Sequence, residues 1–186
     1  LRGFDNFQPP YQFIKAITRK FKDITIDKDH LMIISPDEGA MSRAVYFSNV
    51  LGVDLGMFYK RRDYAHVVNG KNPIVAHEFL GSDVTGMDVM VIDDMISSGE
   101  SILDTAANLK QRGCRRVFVC TTFGLFTDGF RLFDEAYANG LIDHIFTTNL
   151  TYHDPDIYEK EWYCEVNMCK YVALLVDSLH KDETIS

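Results

Sequence analysis

The chain has 186 residues, 46% of them hydrophobic and 25% charged, with a formal net charge of −8 at pH 7. That length and balance support a buried core, no apolar run approaches bilayer length, and a broad nucleic-acid surface is excluded because it needs clustered cations. The four cysteines, Cys114, Cys120, Cys164 and Cys169, have neither zinc-ribbon nor redox-pair spacing, which suits a cytoplasmic protein.

The sequence starts at Leu1 inside what reads as a continuing segment, so a piece of a longer protein is expected, with residues 1–186 as one domain. His30 to Pro36 (HLMIISP) is a short apolar run of strand type. Residues 39–52 follow with helical spacing: Met41, Ala44, Val45 and Ser48 share a face, and Gly52 falls where a C-terminal cap belongs. Val53 to Tyr59 reads as a second strand. Two more, Pro73 to Gly81 and Asp88 to Asp93, flank the turn residues Ser82 to Gly86. Glu100 to Gly113 is a helix with Ile102, Ala106 and Leu109 on one face. Arg115 to Phe123 is β-branched, apolar and flanked by charge, as a central strand is. Phe130 to Gly140 is helical, Ile142 to Leu150 a strand, and Lys170 to His180 a closing amphipathic helix.

Strands alternating with helices predict an α/β fold, a mainly parallel sheet with helices on both faces. Ligands of such sheets collect beyond the carboxyl ends of the strands, where the strand order reverses. The loops after Ile34, Tyr59 and Ile92 are therefore the candidates by position.

The segment VMVIDDMISSGES, Val89 to Ser101, holds the densest chemistry. Asp93 and Asp94 are expected at the end of a buried strand, and Ser97, Ser98, Gly99, Glu100 and Ser101 lead into a helix. A helix N-terminus presents unpaired N–H groups and partial positive charge, so this turn suits a phosphate, with the Ser98 and Ser101 hydroxyls and an unobstructed backbone at Gly99. Carboxylates would repel that phosphate. Asp93 and Asp94 are instead suited to accept hydrogen bonds from the vicinal hydroxyls of a sugar. A ligand-free helix cap explains Ser98 or Ser101 alone, but not two adjacent acids followed by Ser-Ser-Gly.

VIDDMISSGES resembles the phosphoribosyl-diphosphate (PRPP) loop of type I phosphoribosyltransferases and of the ribose-phosphate pyrophosphokinases. The cradle of that loop falls on Ser97 to Ser101, with Glu100 where a small residue is usual. ISPDEGAMSRA (Ile34 to Ala44) is similar to the pyrophosphokinase segment Ser-Pro-Asp-x-Gly-Gly, with Ala40 for the second glycine. FYKRRDY is similar to its catalytic Lys-Arg-Arg loop, and LRGFDNFQPPYQFI to the stretch following its metal-binding Asp-x-His motif. The resemblance runs from Gly3 to about Leu125 at motif level, loosens beyond, and points to a divergent branch.

The resemblance implies a type I phosphoribosyltransferase-like fold and the C-terminal half of a longer chain. It implies transfer of diphosphate from ATP to ribose 5-phosphate, giving PRPP and AMP, with Lys60 catalytic, Arg62 on phosphate and Asp37 helping to hold Mg2+. It also implies a homo-oligomer. Two alternatives stay open: a phosphoribosyltransferase using PRPP as donor, and a non-catalytic regulatory relative. No pair of the six histidines has metal-ligand spacing, and Thr121 to Gly129 reads as a strand-end loop that needs no function.

Overall fold

Seven strands form one sheet in the order β3-β2-β1-β4-β5-β6-β7, parallel throughout except where β3 pairs antiparallel with β2. The computed structural model describes residues 9–62 and 74–181, without the side chains of residues 60–62 and 74–77. The strands are β1 (Leu31–Ser35), β2 (Asp54–Arg62), β3 (Ile74–Leu80), β4 (Asp88–Ile96), β5 (Arg116–Gly124), β6 (His144–Thr148) and β7 (Tyr163–Val166). The helices are α1 (Pro10–Lys20), α2 (Met41–Leu51), α3 (Glu100–Gln111), α4 (Arg131–Ala138) and α5 (Cys169–His180), with a 3-10 turn at Pro155–Glu159. This is the α/β, type I phosphoribosyltransferase-like fold expected from the sequence.

Strand alternation divides the core into two layers. Val89 and Val91 of β4 point to one layer, where Ile102, Ala106 and Leu109 of α3 and Phe133 of α4 cover them. Met90 and Ile92 point to the other, against Phe13 and Ile17 of α1 and Ala44 and Phe47 of α2. The direction of sheet growth reverses between β1 and β4. Right-handed crossovers therefore carry α2 and α3 to opposite faces, and a crevice opens between the carboxyl ends of β1 and β4.

Gly52 takes the left-handed C-cap at φ 67°, as its spacing predicted. Other expectations need correction. The buried stripe of α2 is Ala44 and Phe47, while Val45 is exposed, because the helix rests on β1 and β4 at a different rotation from the one its apolar spacing suggested. Lys60 to Arg62 are not a loop after a strand: β2 continues through them, paired with β3. Asp93 and Asp94 likewise lie within β4. β7, unrecognised in the sequence, is only four residues long and carries a glutamate, so it gives little periodicity.

The closing helix α5 has no buried residue. Leu174 and Val176 are 56% and 61% exposed, since the helix lies beyond the narrow edge strand β7 and touches the core mainly through Tyr171. At the opposite, amino end of the strands, the fully buried Asp88 carboxylate accepts hydrogen bonds from Arg115 and Arg116, and Arg116 also pairs with Asp23. That network closes the floor of the sheet, away from the crevice. No helix among the described residues is long and apolar enough to cross a membrane.

Candidate active site at the strand-order reversal

The carboxyl-terminal half of β4 carries the two aspartates. Asp93 is half-buried and Asp94 exposed. Asp93 Oδ1 accepts the Asp94 amide at 2.8 Å, and Asp94 Oδ1 accepts the Met95 amide at 2.9 Å. Each carboxylate thus keeps most of its acceptor capacity. Burial, first of all, pushes the Asp93 carboxyl up to about 6, and the neighbouring Asp94 and Asp37 carboxylates add to the rise against the lowering effect of the Asp94 amide.

Both aspartates line a cleft of about 380 Å³ with Ser42 and Arg43 of α2, Phe13 of α1, and Thr122 and Phe123 of β5. Arg43 lies 3.7 Å from Asp94 and is the cation of this cleft. Arg43 was not singled out in the sequence, and Thr122 lies in the strand-end segment set aside there. Arg43 stands two residues into a helix that follows a Ser-Pro-Asp turn at the reversal, and that position is a usable signal.

Asp37 sits in the turn from β1 to α2. Its Oδ1 accepts the Ala40 amide at 3.1 Å, and its carbonyl accepts the Ser35 hydroxyl at 2.7 Å. Its carboxylate contributes to the rise at Asp93 but does not line the cleft. Among the described residues no group of three or more His, Cys, Asp or Glu side chains is gathered to hold a metal ion.

The turn after β4 ends at Gly99, φ 93°, the N-cap of α3. Among the described residues, the amides of Ser98, Gly99 and Glu100 have no protein acceptor. The turn is braced from outside: Leu125 N donates to Ile96 O at 2.8 Å and Thr127 N to Ser97 O at 3.1 Å, with the Ser97 and Thr127 hydroxyls 3.4 Å apart. The Thr121 to Gly129 segment, set aside on sequence, therefore shapes the turn. Gly99 also answers to the core: a Cβ there would meet Phe133 Cζ at 2.1 Å, so the packing beneath the turn requires a glycine. Glu100 is exposed, and Ser101 O accepts the Thr105 hydroxyl at 2.9 Å.

Of the residues expected at the site, Asp93 and Asp94 line the cleft, while Asp37 lies in the turn before α2 and Ser97–Ser101 in the turn before α3, outside that lining. The aspartates open to the α2 side, and the turn leads to the α3 side. Lys60 and Arg62 are described only as backbone on β2, next to β1 in the sheet. Their side chains lie outside the described residues.

A family model described as phosphoribosyl transferase domain matches residues 5–151. The chain belongs to that family. Among curated relatives of this phosphoribosyl transferase domain are proteins named ribose-phosphate pyrophosphokinase. That of Ureaplasma parvum serovar 3 is 29% identical over 153 residues, covering 82% of this chain and 43% of the relative. That of Shewanella oneidensis is 28% identical over 188 residues, covering all of this chain and 56% of the relative. That of Chromobacterium violaceum is 33% identical over 128 residues, covering 68% and 36%. The chain spans about half the length of the curated relatives it matches, or less. A solved phosphoribosylpyrophosphate synthetase from Mycobacterium smegmatis shares the fold, with a TM-score of 0.72 at 20% identity over 93% of this chain and 51% of that one.

Proposed function

We propose that the chain supplies the ribose 5-phosphate site of a ribose-phosphate diphosphokinase. The observation that carries this reading is the pairing, within the stretch Asp93 to Glu100, of two underused carboxylates with three unpartnered amides at a strand-order reversal. The amides of Ser98 to Glu100, with the Ser97, Ser98 and Ser101 hydroxyls, take the 5-phosphate at the positive end of α3. Asp93 and Asp94 accept the ribose hydroxyls. The anomeric hydroxyl then attacks the β-phosphorus of ATP, the bond from that phosphorus to the α–β bridging oxygen breaks, AMP leaves, and the hydroxyl proton is lost. Lys60 and Arg62 stabilise the charge that spreads over the transferred oxygens. The name carried by the curated relatives favours this reaction over a phosphoribosyltransferase.

The carboxylates of Asp37 and Asp93 fit Mg2+: they are hard oxygen donors, and mutual repulsion already works against the ionised Asp93. Few protein ligands suffice, because Mg2+ bound between protein and polyphosphate keeps several waters. Asp37 and Asp93 would hold it, and it would neutralise phosphate charge when bound.

The test is calorimetric titration of ribose 5-phosphate into the chain and into Ser98→Glu, which brings a carboxylate to the turn. Binding to the first and at least about tenfold weaker binding to the second is expected. Equal affinity would remove the phosphate from this turn. The isolated 186-residue chain is expected to bind the sugar phosphate while producing AMP poorly.

A further inference from the structure

A groove of about 670 Å³, larger than the cleft at the aspartates, runs along α1 between that helix, β7 and the first turn of α5. Lys15, Arg19 and Lys20 line it from α1 and Lys170 from α5, with Tyr11 and Tyr171 as aromatic walls. Among the described residues none of the four cations has a carboxylate within ion-pair distance. The one acid in the lining, Glu165, already accepts the Tyr158 hydroxyl at 2.7 Å. In a chain with 27 acids and 19 bases, four cations without an acid partner around one cavity are out of proportion, Lys15 resting instead 5.9 Å from the centre of the Tyr11 ring.

The dipole of α1 favours Arg19 and Lys20 in its last turn, but two other features of the placement work against the helices. Lys15 and Arg19 stand at i and i+4, where like charges destabilise an isolated helix by about 0.2–0.5 kcal/mol. Lys170 is the second residue of α5, at the positive end of its dipole, where a cation is disfavoured. The field reaches the interior: after burial, Lys20 helps hold His144 down to about 4. An anion in the groove relieves each of these conflicts at once, and local rules are broken in this way where a site requires it.

We infer that the groove between α1, β7 and α5 binds a small molecule bearing two or more phosphate groups, at a site separate from the crevice at β1 and β4. Three strand spacings, about 14 Å, part β7 from β4. The four cations take the phosphates, and the tyrosine rings flank the rest of the ligand. The proposal does not rest on the diphosphokinase reading.

Inorganic tripolyphosphate is the probe, titrated by calorimetry into the wild type, Ser98→Glu, the pair Lys15→Glu and Arg19→Glu, and all three changes together. Lys15, Arg19 and Lys170 lie on helices and Ser98 in the turn before α3, none of them is buried, and circular dichroism checks the fold. Ser98→Glu is expected to retain binding, and the added pair to weaken it at least about tenfold. Lys170→Met supplies a second variant without charge reversal, with a smaller loss expected. Equal affinity of Ser98→Glu and the triple variant would overturn the groove, as would tricarballylate binding as tightly as tripolyphosphate. If the pair alone abolishes all binding, the groove stands and the reading of the Ser98 turn fails. If Ser98→Glu alone abolishes it, the reverse holds.

Discussion

Gly99 lies directly over the ring of Phe133, with no room for a side chain between them. Its φ of 93° is also one that L residues rarely adopt. Gly99→Ala is therefore expected to lose about 3 kcal/mol of stability, from backbone strain and displacement of a buried ring. Urea denaturation reads the loss. Phe133→Leu in the same background should restore part of it, which separates the ring clash from the strain.

Asp93 gives a pH dependence of unusual sign. Its carboxyl is raised from 3.8 to about 6 in the folded protein. Between those values the folded state holds a proton that the unfolded state has released. The contribution is therefore complete below the unfolded value, declines as pH rises, and is gone above about 6. Asp93→Asn should be more stable than the wild type at about pH 8, with the gap closing toward about pH 4. Carbon NMR of the side chain should show a midpoint near 6, and ribose 5-phosphate affinity should rise through the same range as the acceptor ionises.

Asp88 behaves oppositely. Burial would raise its carboxyl, but the hydrogen bonds and charges of Arg115 and Arg116 outweigh burial and hold it below 3.8. Its contribution is present above that value and lost as pH falls through the folded one. Asp88→Ala leaves two guanidinium groups facing a vacated buried position and should cost about 3–4 kcal/mol at neutral pH. Thermal melts at neutral and acid pH should show the difference shrinking in acid.

Lys60→Ala, placed in a full-length protein carrying this domain, should lower kcat at least about a hundredfold while ribose 5-phosphate affinity changes little. AMP formation and sugar-phosphate titration measure the two separately. An unchanged kcat would favour the regulatory relative over the enzyme.

The alternation of strands and helices was legible because each parallel strand is buried on both faces and each crossover helix has one apolar stripe. Gly52 was readable as a cap because left-handed backbone selects glycine. The Ser97–Ser101 turn was readable because its small residues sit together in the chain. Other features depend on distant partners. β2 extends through Lys60 to Arg62 because β3 pairs with it, and nothing within FYKRRDY encodes that partner. Arg43 joins the site only because the crossovers bring the start of α2 against the end of β4. Gly99 looked like a ligand contact, and only Phe133, 34 residues along the chain, reveals its packing role.

The reversal of strand order has a dynamic consequence. α2 and α3 belong to different hydrophobic layers and share no packing surface of their own. A molecule lodged between their first turns would tether two regions that otherwise open independently. Amide hydrogen exchange in both helices should then slow together on saturation with ribose 5-phosphate, while the distant edge at β7 keeps its exchange rates.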